Sequence, residues 1–514
     1  MFNFKSLFVI ALAGFTALSS AEDHGKGKGN GKGNGKGYGK GPKNFIMVVP
    51  DGFGIASETM ARDYVHWTNN GTTVMPIDEM VIGLVRTKAT DSYVTDSAAS
   101  ATAYSCGIKS YNGAIGVDDD IIPCGTVLEA AHLKGMKTGL IVTSRITHAT
   151  PATYASHVWD RDQEANIALQ EIGYAHPLGR TVDVMMGGGR CFFTPNTTAD
   201  SCRDDGIDAL ALARDLGYTV ITDRAGFDSK QKLPYLGLFT EDHMSYEVDR
   251  NPAIEPSLKE MALKGINDLY RATKDSDEGF FVLVEASRID HAGHANDAVG
   301  HLHDILAYNA AMLAMREWID EHEEDSPTIL ISTADHECGG LTVGSIQLDG
   351  APDYWYAPEH FAAAKATPGP LSKLWQAYSG STPKSYLKTA IFAAHGIAVP
   401  TEEELVQGLA LKNDTSAFQE FLSASMSARL GVSWSTGGHT AADVTLFGWG
   451  KGSEKFSGSR ENAEVGLFVA QQLGLDLERT QALLRRNETW EKEWVRPPVS
   501  LEKVARRSLG HHHH

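Results

Sequence analysis

Long apolar runs that each lie next to polar or charged residues constrain the fold of this chain more than any other feature. Each run is short enough for a single strand and is almost uninterrupted by polar side chains. Continuous runs of this kind are typical of strands that are buried on both faces of a parallel sheet. The runs are NFIMVVPDGFG from residue 44, KTGLIVTSRITHATP from 137, GFFVLVEASRIDHAGH from 279, PTILISTADHECGG from 327 and DVTLFGWG from 443.

Amphipathic helical segments alternate with these runs. In residues 297–319 apolar side chains recur at helical spacing, and CGTVLEAAHLKG (124–135) predicts a helix that ends at Gly135. Alternating strands and helices predict an α/β fold, a three-layer α/β/α sandwich with a mostly parallel central sheet. In such a sheet, ligands bind beyond the carboxyl ends of the strands.

The residues next to the runs have the chemistry of metal ligands. Several carboxylates crowded at one edge of a sheet are costly unless a cation neutralises them. Imidazole together with carboxylate suits zinc, whereas oxygen donors alone suit magnesium. The candidate zinc ligands are Asp290, His294 and His439, with Asp335 and His336 as a further pair, and the candidate oxygen donors for magnesium are Asp51, Thr150 and Glu285.

Each of these residues also has an ordinary structural explanation when it is taken alone. Asp51 precedes a glycine and could only shape a turn. Glu285 could be a buried carboxylate paired with Arg288, and His294 and His336 could be ordinary core or surface histidines. The coincidence of several such residues at strand ends favours a metal site with more than one ion.

The stretch TDSAASATAY, residues 95–104, allows two interpretations. Its alanines favour a closely packed buried helix, which either Asp96 or Ser97 could cap. Alternatively, Ser97 is a nucleophile placed where a helix N-terminus stabilises an anion. The stretch alone favours the packed helix, so the rest of the chain has to decide between them.

The first residues have the features of an exported protein. Residues 1–21 predict a signal peptide, because Lys5 precedes an apolar stretch too short for a comfortable membrane span. An uncleaved membrane anchor is the alternative. Residues 22–43 are rich in glycine and lysine and predict a flexible linker, with adhesion to an anionic surface as the alternative. The net charge of −19 argues against a general affinity for nucleic acid.

Cysteines and glycosylation sequons agree with export. Cys191 and Cys202 bracket a short polar loop, and a disulfide between them is expected outside the cell. The five cysteines leave at least one thiol free or paired between chains.

Residues 44–500 remain for the folded domain, followed by a tail, 501–514, with a partial histidine tag. Asn-x-Thr sequons occur at Asn70, Asn196, Asn413 and Asn487.

Seven motifs together resemble those of the alkaline phosphatases, in the family's order over about residues 44–475. The motifs are VVPDGFG, TDSAASATAYSCG, HATPATYASHVWDR, VDVMMGGGR, VEASRIDHAGH, TADHECGG and GGHTAADV. DSAAS, IDHAGH and TADH are highly specific as a set, although none of them is specific alone. The resemblance implies a secreted, homodimeric enzyme that hydrolyses phosphate monoesters to an alcohol and inorganic phosphate. It also implies a phosphoserine intermediate and an alkaline pH optimum.

The resemblance also assigns roles to individual residues. Ser97 is implied as the nucleophile and Arg161 as the guanidinium that grips the phosphate, with Asp96 beside it. Without the resemblance, Arg161 would be interpreted as a surface salt-bridge residue. Two Zn²⁺ and one Mg²⁺ per subunit are expected. Their implied ligands are Asp290, His294 and His439 for the first zinc, Asp51, Ser97, Asp335 and His336 for the second, and Asp51, Thr150 and Glu285 for magnesium.

Two histidines distinguish this chain within the family. His148 and His291, expected beside the substrate, stand where bacterial members often carry Asp and Lys and where animal-type members commonly carry His. The chain therefore resembles the animal-type or fungal-type enzymes, and imidazole near the magnesium site suits zinc better than magnesium. Some animal relatives also hold calcium. Glu241 or Glu255 could bind it here, but calcium is not predicted because Thr240 stands where an acid is expected.

Other members of the same superfamily are the nearest alternatives. Sulfatases need a modified residue in a Cys/Ser-x-Pro-x-Arg context, whereas Ser97 is followed by Ala-Ala-Ser. Phosphodiesterases generally lack the Glu/Thr magnesium set and Arg161. A non-catalytic, metal-binding secreted glycoprotein is the alternative from another class, and the complete ligand set disfavours it. Residues 345–431 are expected to form a surface insertion near the active site.

Overall fold

The computed structural model describes residues 41–71, 74–344 and 354–497. The predicted signal peptide (1–21), most of the predicted linker (22–43) and the predicted tail (501–514) lie outside the described residues. None of the helices in the described ranges combines the length and the apolar character that crossing a bilayer requires.

A ten-stranded sheet forms the centre of the described chain, with the strand order β14-β2-β13-β8-β1-β7-β3-β4-β6-β5. Two short ribbons, β10–β11 and β9–β12, lie outside it. The strands are β1 Asn44–Val49, β2 Val81–Arg86, β3 Lys137–Arg145, β4 Val184–Gly188, β5 Thr219–Ile221, β6 Tyr235–Leu238, β7 Phe280–Glu285, β8 Thr328–Thr333, β9 Glu337–Cys338, β10 Leu341–Val343, β11 Val432–Trp434, β12 His439–Thr440, β13 Val444–Trp449 and β14 Gly458–Glu461.

The apolar runs occupy the middle of this sheet, as their composition predicts. Every residue of β1 is buried, and β1 pairs in parallel with β7 on one side and with β8 on the other. A strand in this position has no solvent-facing side, so it needs an apolar residue at nearly every position. The predicted α/β fold with a mostly parallel sheet is therefore confirmed.

Strand β13 runs against the direction of its neighbours. It pairs antiparallel with both β8 and β2, and the sequence could not distinguish this from a parallel strand because both are buried. The reversal places the beginning of β13, and not its end, at the edge where the parallel strands finish. His439 precedes β13 and so reaches the same edge as the other predicted ligands.

Helices cover both faces of the sheet. Helices α8 and α10 pack together on one side, while α2, α3, α4 and α15 pack together on the other. The two predicted helices are present as α3 and α10, and Gly135 ends α3 in a left-handed conformation. The helices are α1 Ile55–Thr68, α2 Ser97–Cys106, α3 Val127–Lys134, α4 Ala149–Ala155, α5 Glu164–Glu171, α6 Ala209–Asp215, α7 Arg224–Asp228, α8 Leu258–Thr273, α9 Arg288–His294, α10 Ala298–Glu321, α11 Pro368–Ala377, α12 Pro383–Tyr386, α13 Glu402–Ala410, α14 Thr415–Leu430, α15 Asn462–Leu473, α16 Leu477–Leu484 and α17 Glu488–Trp490.

The described part of the predicted insertion, residues 354–431, is helical and contains α11 to α14. The ribbon of β10 and β11, in which Leu341 lies opposite Trp434, flanks it in sequence.

The expected disulfide between Cys191 and Cys202 is present, and a second one joins Cys106 to Cys124. Cys338 is a buried free thiol.

Candidate active site

The predicted ligands meet at the edge of the sheet where the parallel strands end. Asp51 follows β1, Glu285 ends β7, and Asp335 follows β8. Within the described residues, ligand atoms that lie within 4.8 Å of one another form three groups at this edge. The groups are Asp290, His294 and His439 with Cys338, then Asp51, Asp335 and His336, and then Asp51, His148 and Glu285.

The first group holds two imidazoles whose Nε2 atoms approach each other. His294 Nδ1 lies 2.7 Å from the Gly437 carbonyl and His439 Nδ1 lies 2.8 Å from the Thr95 carbonyl. Because a carbonyl only accepts, both Nδ1 atoms carry the proton, and in the neutral rings both Nε2 atoms present lone pairs. Those two Nε2 atoms are 3.0 Å apart. Each also lies 3.4 Å from a carboxylate oxygen of Asp290.

Two lone pairs at this separation repel unless a cation lies against both of them. Zinc binds imidazole nitrogen at about 2.0–2.1 Å, and ligating histidines commonly donate their other N–H to a carbonyl, as these two do. Burial would raise the pKa of Asp290, but the nearby imidazoles of His439, His294 and His336 hold it well below its ordinary value. The residues of this group therefore fit a zinc ion.

The second group joins the nucleophile candidate to the metal ligands. Ser97 Oγ and Asp335 Oδ2 each lie 3.1 Å from His336 Nε2, and Asp51 Oδ1 lies 3.6 Å from it. Both carboxylate oxygens of Asp51 are buried without a hydrogen-bond partner among the described residues. Burial, together with the charges of Asp335, Asp290 and Glu285, raises the pKa of Asp51 well above its ordinary value.

The third group combines His148 with carboxylate oxygens, and the Thr150 hydroxyl lies next to Glu285. Thr150 Oγ1 and Glu285 Oε1 are buried and find no hydrogen-bond partner in the described chain. The other Glu285 oxygen accepts from Ser287 Oγ at 2.6 Å and Ser144 Oγ at 3.2 Å. Burial raises the pKa of Glu285 to about 7. Buried oxygens without donors are costly, and a hard cation such as Mg²⁺ would satisfy them.

Arg161 is held at the mouth of this site. Its Nη1 donates to Asp96 Oδ2 at 3.0 Å, and its Nη2 lies 3.1 Å from His148 Nε2. Asp96 also caps α2, since its Oδ1 accepts from the Ala99 N–H at 2.9 Å. Burial and the charge of Arg161 lower the pKa of His148 well below its ordinary value. Neutral His148 can therefore accept from the guanidinium.

His243 is a neighbour of this site that the sequence did not reveal. Its ring centroid lies 4.2 Å from that of His291 and 5.3 Å from that of His148. Its Nδ1 accepts from the Arg145 N–H at 3.1 Å. The residue follows β6 in a segment without a ligand motif, so only its position in the fold identifies it.

Cys338 lies behind the first group. Its Sγ lies 3.4 Å from the Asp290 carbonyl, and its side chain packs against Gly52 and Gly293, where an added Cβ would come within 3.0 Å of it.

The two residues considered for calcium are engaged elsewhere. Glu241 pairs with Arg190, and Glu255 accepts from Ser245. Neither belongs to a metal-binding cluster in the described ranges.

Comparison with known proteins decides the family. The sequence model of the family described as alkaline phosphatase matches residues 42–475. The chain belongs to the alkaline phosphatase family.

Individual members show the same relationship. The alkaline phosphatase of Schizosaccharomyces pombe is 39% identical over 441 residues, covering 85% of this chain and 82% of that protein. The repressible alkaline phosphatase of Saccharomyces cerevisiae is 40% identical over 475 residues, covering 86% and 83%. The crystal structure of a cold-active alkaline phosphatase from a psychrophilic Shewanella aligns with a TM-score of 0.72 at 29% identity, covering 84% of this chain and 99% of the other.

Membership of the alkaline phosphatase family makes the chain a metal-dependent enzyme that hydrolyses phosphate monoesters. The predicted family, fold and activity are therefore confirmed. The structure brings together all eight side chains predicted as metal ligands besides Ser97, and it puts Ser97, Asp96 and Arg161 beside them. The roles of the individual residues and the identity of each ion remain predictions.

Proposed function

We propose that this alkaline phosphatase hydrolyses monoesters through a phosphoserine formed on Ser97, at alkaline pH. The observation that supports the proposal best is the position of the Ser97 hydroxyl. It lies at the N-terminus of α2 and 3.1 Å from an imidazole of a buried carboxylate–imidazole cluster. A helix N-terminus favours negative charge, which is what both the attacking serine and the phosphate carry.

We assign two Zn²⁺ and one Mg²⁺ to the three groups of ligands. When bound, these cations lower the pKa of the serine hydroxyl and of water and neutralise charge on the phosphate. The first zinc would be held by Asp290, His294 and His439, the second by Asp51, Asp335 and His336 with Ser97, and magnesium by Asp51, Thr150 and Glu285. His148 lies within reach of the magnesium ligands, so this third position also suits zinc.

The chain's own residues bind the phosphate and transfer it. Arg161 grips two phosphate oxygens through its planar guanidinium, and Asp96 holds it in place. Ser97 Oγ, after releasing its proton to solvent, attacks the phosphorus while the bond to the leaving oxygen breaks, and that oxygen takes a proton from solvent and departs as the alcohol. A water molecule then attacks the phosphoserine from the vacated side, the bond between phosphorus and Oγ breaks, and inorganic phosphate leaves.

We also propose that the enzyme is a secreted, glycosylated homodimer. Two disulfides support an oxidising compartment. The asparagines of all four sequons, Asn70, Asn196, Asn413 and Asn487, are exposed and so accessible to a glycosyltransferase. Light scattering of the enzyme before and after enzymatic deglycosylation measures both the oligomeric state and the attached glycan mass.

Metal removal tests the ligand assignment. Dialysis against a chelator should abolish release of phosphate from a monoester, because the carboxylate cluster no longer holds its cations. Zinc together with magnesium should restore activity, and elemental analysis should then find two zinc ions and one magnesium ion per chain. Full activity in protein shown by elemental analysis to be metal-free would contradict the proposal, as would a strong preference for a phosphodiester.

A further inference from the structure

The last part of the described chain packs into the domain behind Arg161. Residues 476–497 (the α16–α17 segment) follow the region that the family model matches, which ends at residue 475. Helix α16 lies against α3, so closely that a Cβ added to Gly125 would come within 2.4 Å of the Leu477 carbonyl oxygen. The segment is therefore part of the packed domain and does not merely trail over its surface.

The α16–α17 segment shares a small hydrophobic core with a loop of the domain. This core is separate from the main one. Trp159 packs against it, two residues before Arg161, on the connection 156–163 between α4 and α5. The core therefore reaches the part of the chain that carries the guanidinium. Its buried members are Tyr111, Ala114, Val117 and Ile121 from the loop 111–121, and Leu484, Trp490 and Val495 from the segment.

The loop joins this connection to the cap of α2. Ile115 and Val158 exchange two backbone hydrogen bonds, at 3.0 and 3.1 Å. The Arg161 N–H donates to the Gly113 carbonyl at 2.9 Å, and the Gly113 N–H donates to Asp96 Oδ2 at 2.9 Å. The loop thus relates the backbone of Arg161 to the same carboxylate that its guanidinium contacts.

The α16–α17 segment holds the same connection through a further backbone hydrogen bond. The Trp159 N–H donates to the Val495 carbonyl at 2.9 Å. The Trp159 carbonyl accepts from the Tyr111 hydroxyl at 2.8 Å, and Tyr111 belongs to the shared core. Both backbone groups of Trp159 are therefore fixed by residues of that core.

Trp490 anchors the segment beside the first residues of the connection. Its indole N–H donates to the Ala175 carbonyl at 2.7 Å, and its ring lies edge-on to His157, with the centroids 5.8 Å apart. The nitrogens of His157 lie 2.6 Å from the Gly116 carbonyl and 2.9 Å from Glu129 Oε1. Because the His157 ring is buried, removal of the indole would leave a cavity against the connection.

We propose that the α16–α17 segment is a positioning element for phosphate binding, because it fixes the connection that carries Arg161. A loop residue binds a ligand tightly when its backbone is already held in the bound conformation, since ordering on binding costs affinity. The inference rests on the proposed function, in which Arg161 grips the phosphate. It gives residues beyond the matched region a share in the affinity for phosphate.

A pair of tryptophan variants tests this role in the metal-loaded enzyme. Trp490 and Trp318 are both 5% exposed and both donate their indole N–H. Trp318, however, packs against Phe280 at the start of β7, the end of that strand away from the ligands. Trp490→Ala should raise the inhibition constant of inorganic phosphate about tenfold, because Arg161 is displaced. Trp318→Ala should leave that constant within about twofold of the wild type.

The measurement is inhibition of p-nitrophenyl phosphate hydrolysis, well below the unfolding temperature of each variant and with zinc content checked by elemental analysis. Tyr111→Phe covers the case in which Trp490→Ala does not fold. It removes only the hydroxyl that donates to the Trp159 carbonyl, and it should raise the inhibition constant about threefold, the worth of one net hydrogen bond.

A double-mutant cycle shows whether the segment acts through the guanidinium. Arg161→Ala should itself raise the inhibition constant, and Trp490→Ala added to it should change the constant by less than about twofold. Equal shifts in Trp490→Ala and Trp318→Ala, a full additional shift in the Arg161→Ala background, or unchanged inhibition in Tyr111→Phe would overturn the positioning element. Unchanged phosphate inhibition in Arg161→Ala alone would instead overturn the role of Arg161 in the proposed function.

Discussion

Ser97 is only 2% exposed, and its hydroxyl lies 3.1 Å from His336 Nε2. It begins a helix made almost entirely of small residues, and every residue of that helix is buried. Alanine and serine let the helix start approach the ligands of β8 closely, which bulkier side chains would prevent. The two interpretations of TDSAASATAY are therefore compatible, because the closely packed helix also brings the proposed nucleophile, Ser97, to this edge.

Replacing the nucleophile tests its role directly. Ser97→Ala should retain the fold and the zinc content but lose the phosphoenzyme, and kcat should fall by at least about 10³-fold. Trapping of ³²P-labelled protein at low pH measures the intermediate. Ser105→Ala is the control and should label normally, because Ser105 is buried on the same helix and its hydroxyl donates to the Thr102 carbonyl at 3.3 Å. Wild-type labelling of Ser97→Ala would contradict the assignment.

Asp304 links stability to pH at a single buried position. Burial raises its pKa to about 8, whereas an aspartate in an unfolded chain titrates near 4. The folded state therefore keeps a proton that the unfolded state has released, and the free energy of unfolding falls as pH rises between about 4 and 8.

Asp304→Asn removes this dependence. The variant should gain at least about 1 kcal/mol of stability relative to the wild type at pH 9, and less at pH 5. Thermal unfolding at both pH values measures the difference. Glu317→Gln, an exposed change on the same helix, should leave the thermal unfolding curves at both pH values the same as those of the wild type. An equal shift of Asp304→Asn at both pH values would exclude the titration of Asp304 as the cause.

At the scale of elements, α2 depends on a cap that also holds Arg161. Asp96 accepts from the N–H groups of Ala99 and Gly113 and pairs with Arg161. Its carboxylate thus fixes the helix start, the following loop and the guanidinium together. A cap of this kind contributes about 1 kcal/mol, but the position of Arg161 depends on it as well.

Comparison of two caps separates these functions. Asp96→Ala should lower stability by about 1 kcal/mol and also weaken inhibition by inorganic phosphate several-fold, because Arg161 is no longer held. Asp208→Ala removes the equivalent cap of α6, where Asp208 accepts from the Ala211 N–H at 2.9 Å, and should affect stability alone. Equal phosphate inhibition in both variants would show that Asp96 acts only as a cap.

The same scale shows what the sequence could predict. Asp51, Glu285, Asp335 and the nearby histidines were predictable because parallel strands end at one edge, so apolar runs reveal where their last residues meet. The antiparallel direction of β13 was not predictable, since burial on both faces produces the same composition in either direction. His243 was missed for a related reason, because its neighbours His148 and His291 are distant in sequence and only the fold brings the three rings together.

For the whole molecule, the sheet edge and the insertion differ in how far the sequence predicts them. The sheet edge collects the ligands and Ser97, and the family motifs fall on it, so the sequence predicted this part almost completely. Helix α14 carries no recognisable motif. Its Ser416, Gln419 and Ser423 line a cavity beside His294, because the chain returns through β10 and β11. The family resemblance predicted that the insertion lies near the active site. Only the fold shows which of its side chains lie beside His294.

The ligand set is spread along almost the entire polypeptide, from Asp51 behind the first strand to His439 just before β13. A ribosome synthesises the chain in one direction, so His294 is made long before its partner imidazole exists. The first group of candidate ligands is therefore completed only when nearly the whole domain has emerged and the centre of the sheet has closed. Binding of a metal ion by this group is consequently a late event in the life of each molecule, and the compartment where the chain folds must supply that ion to finished chains.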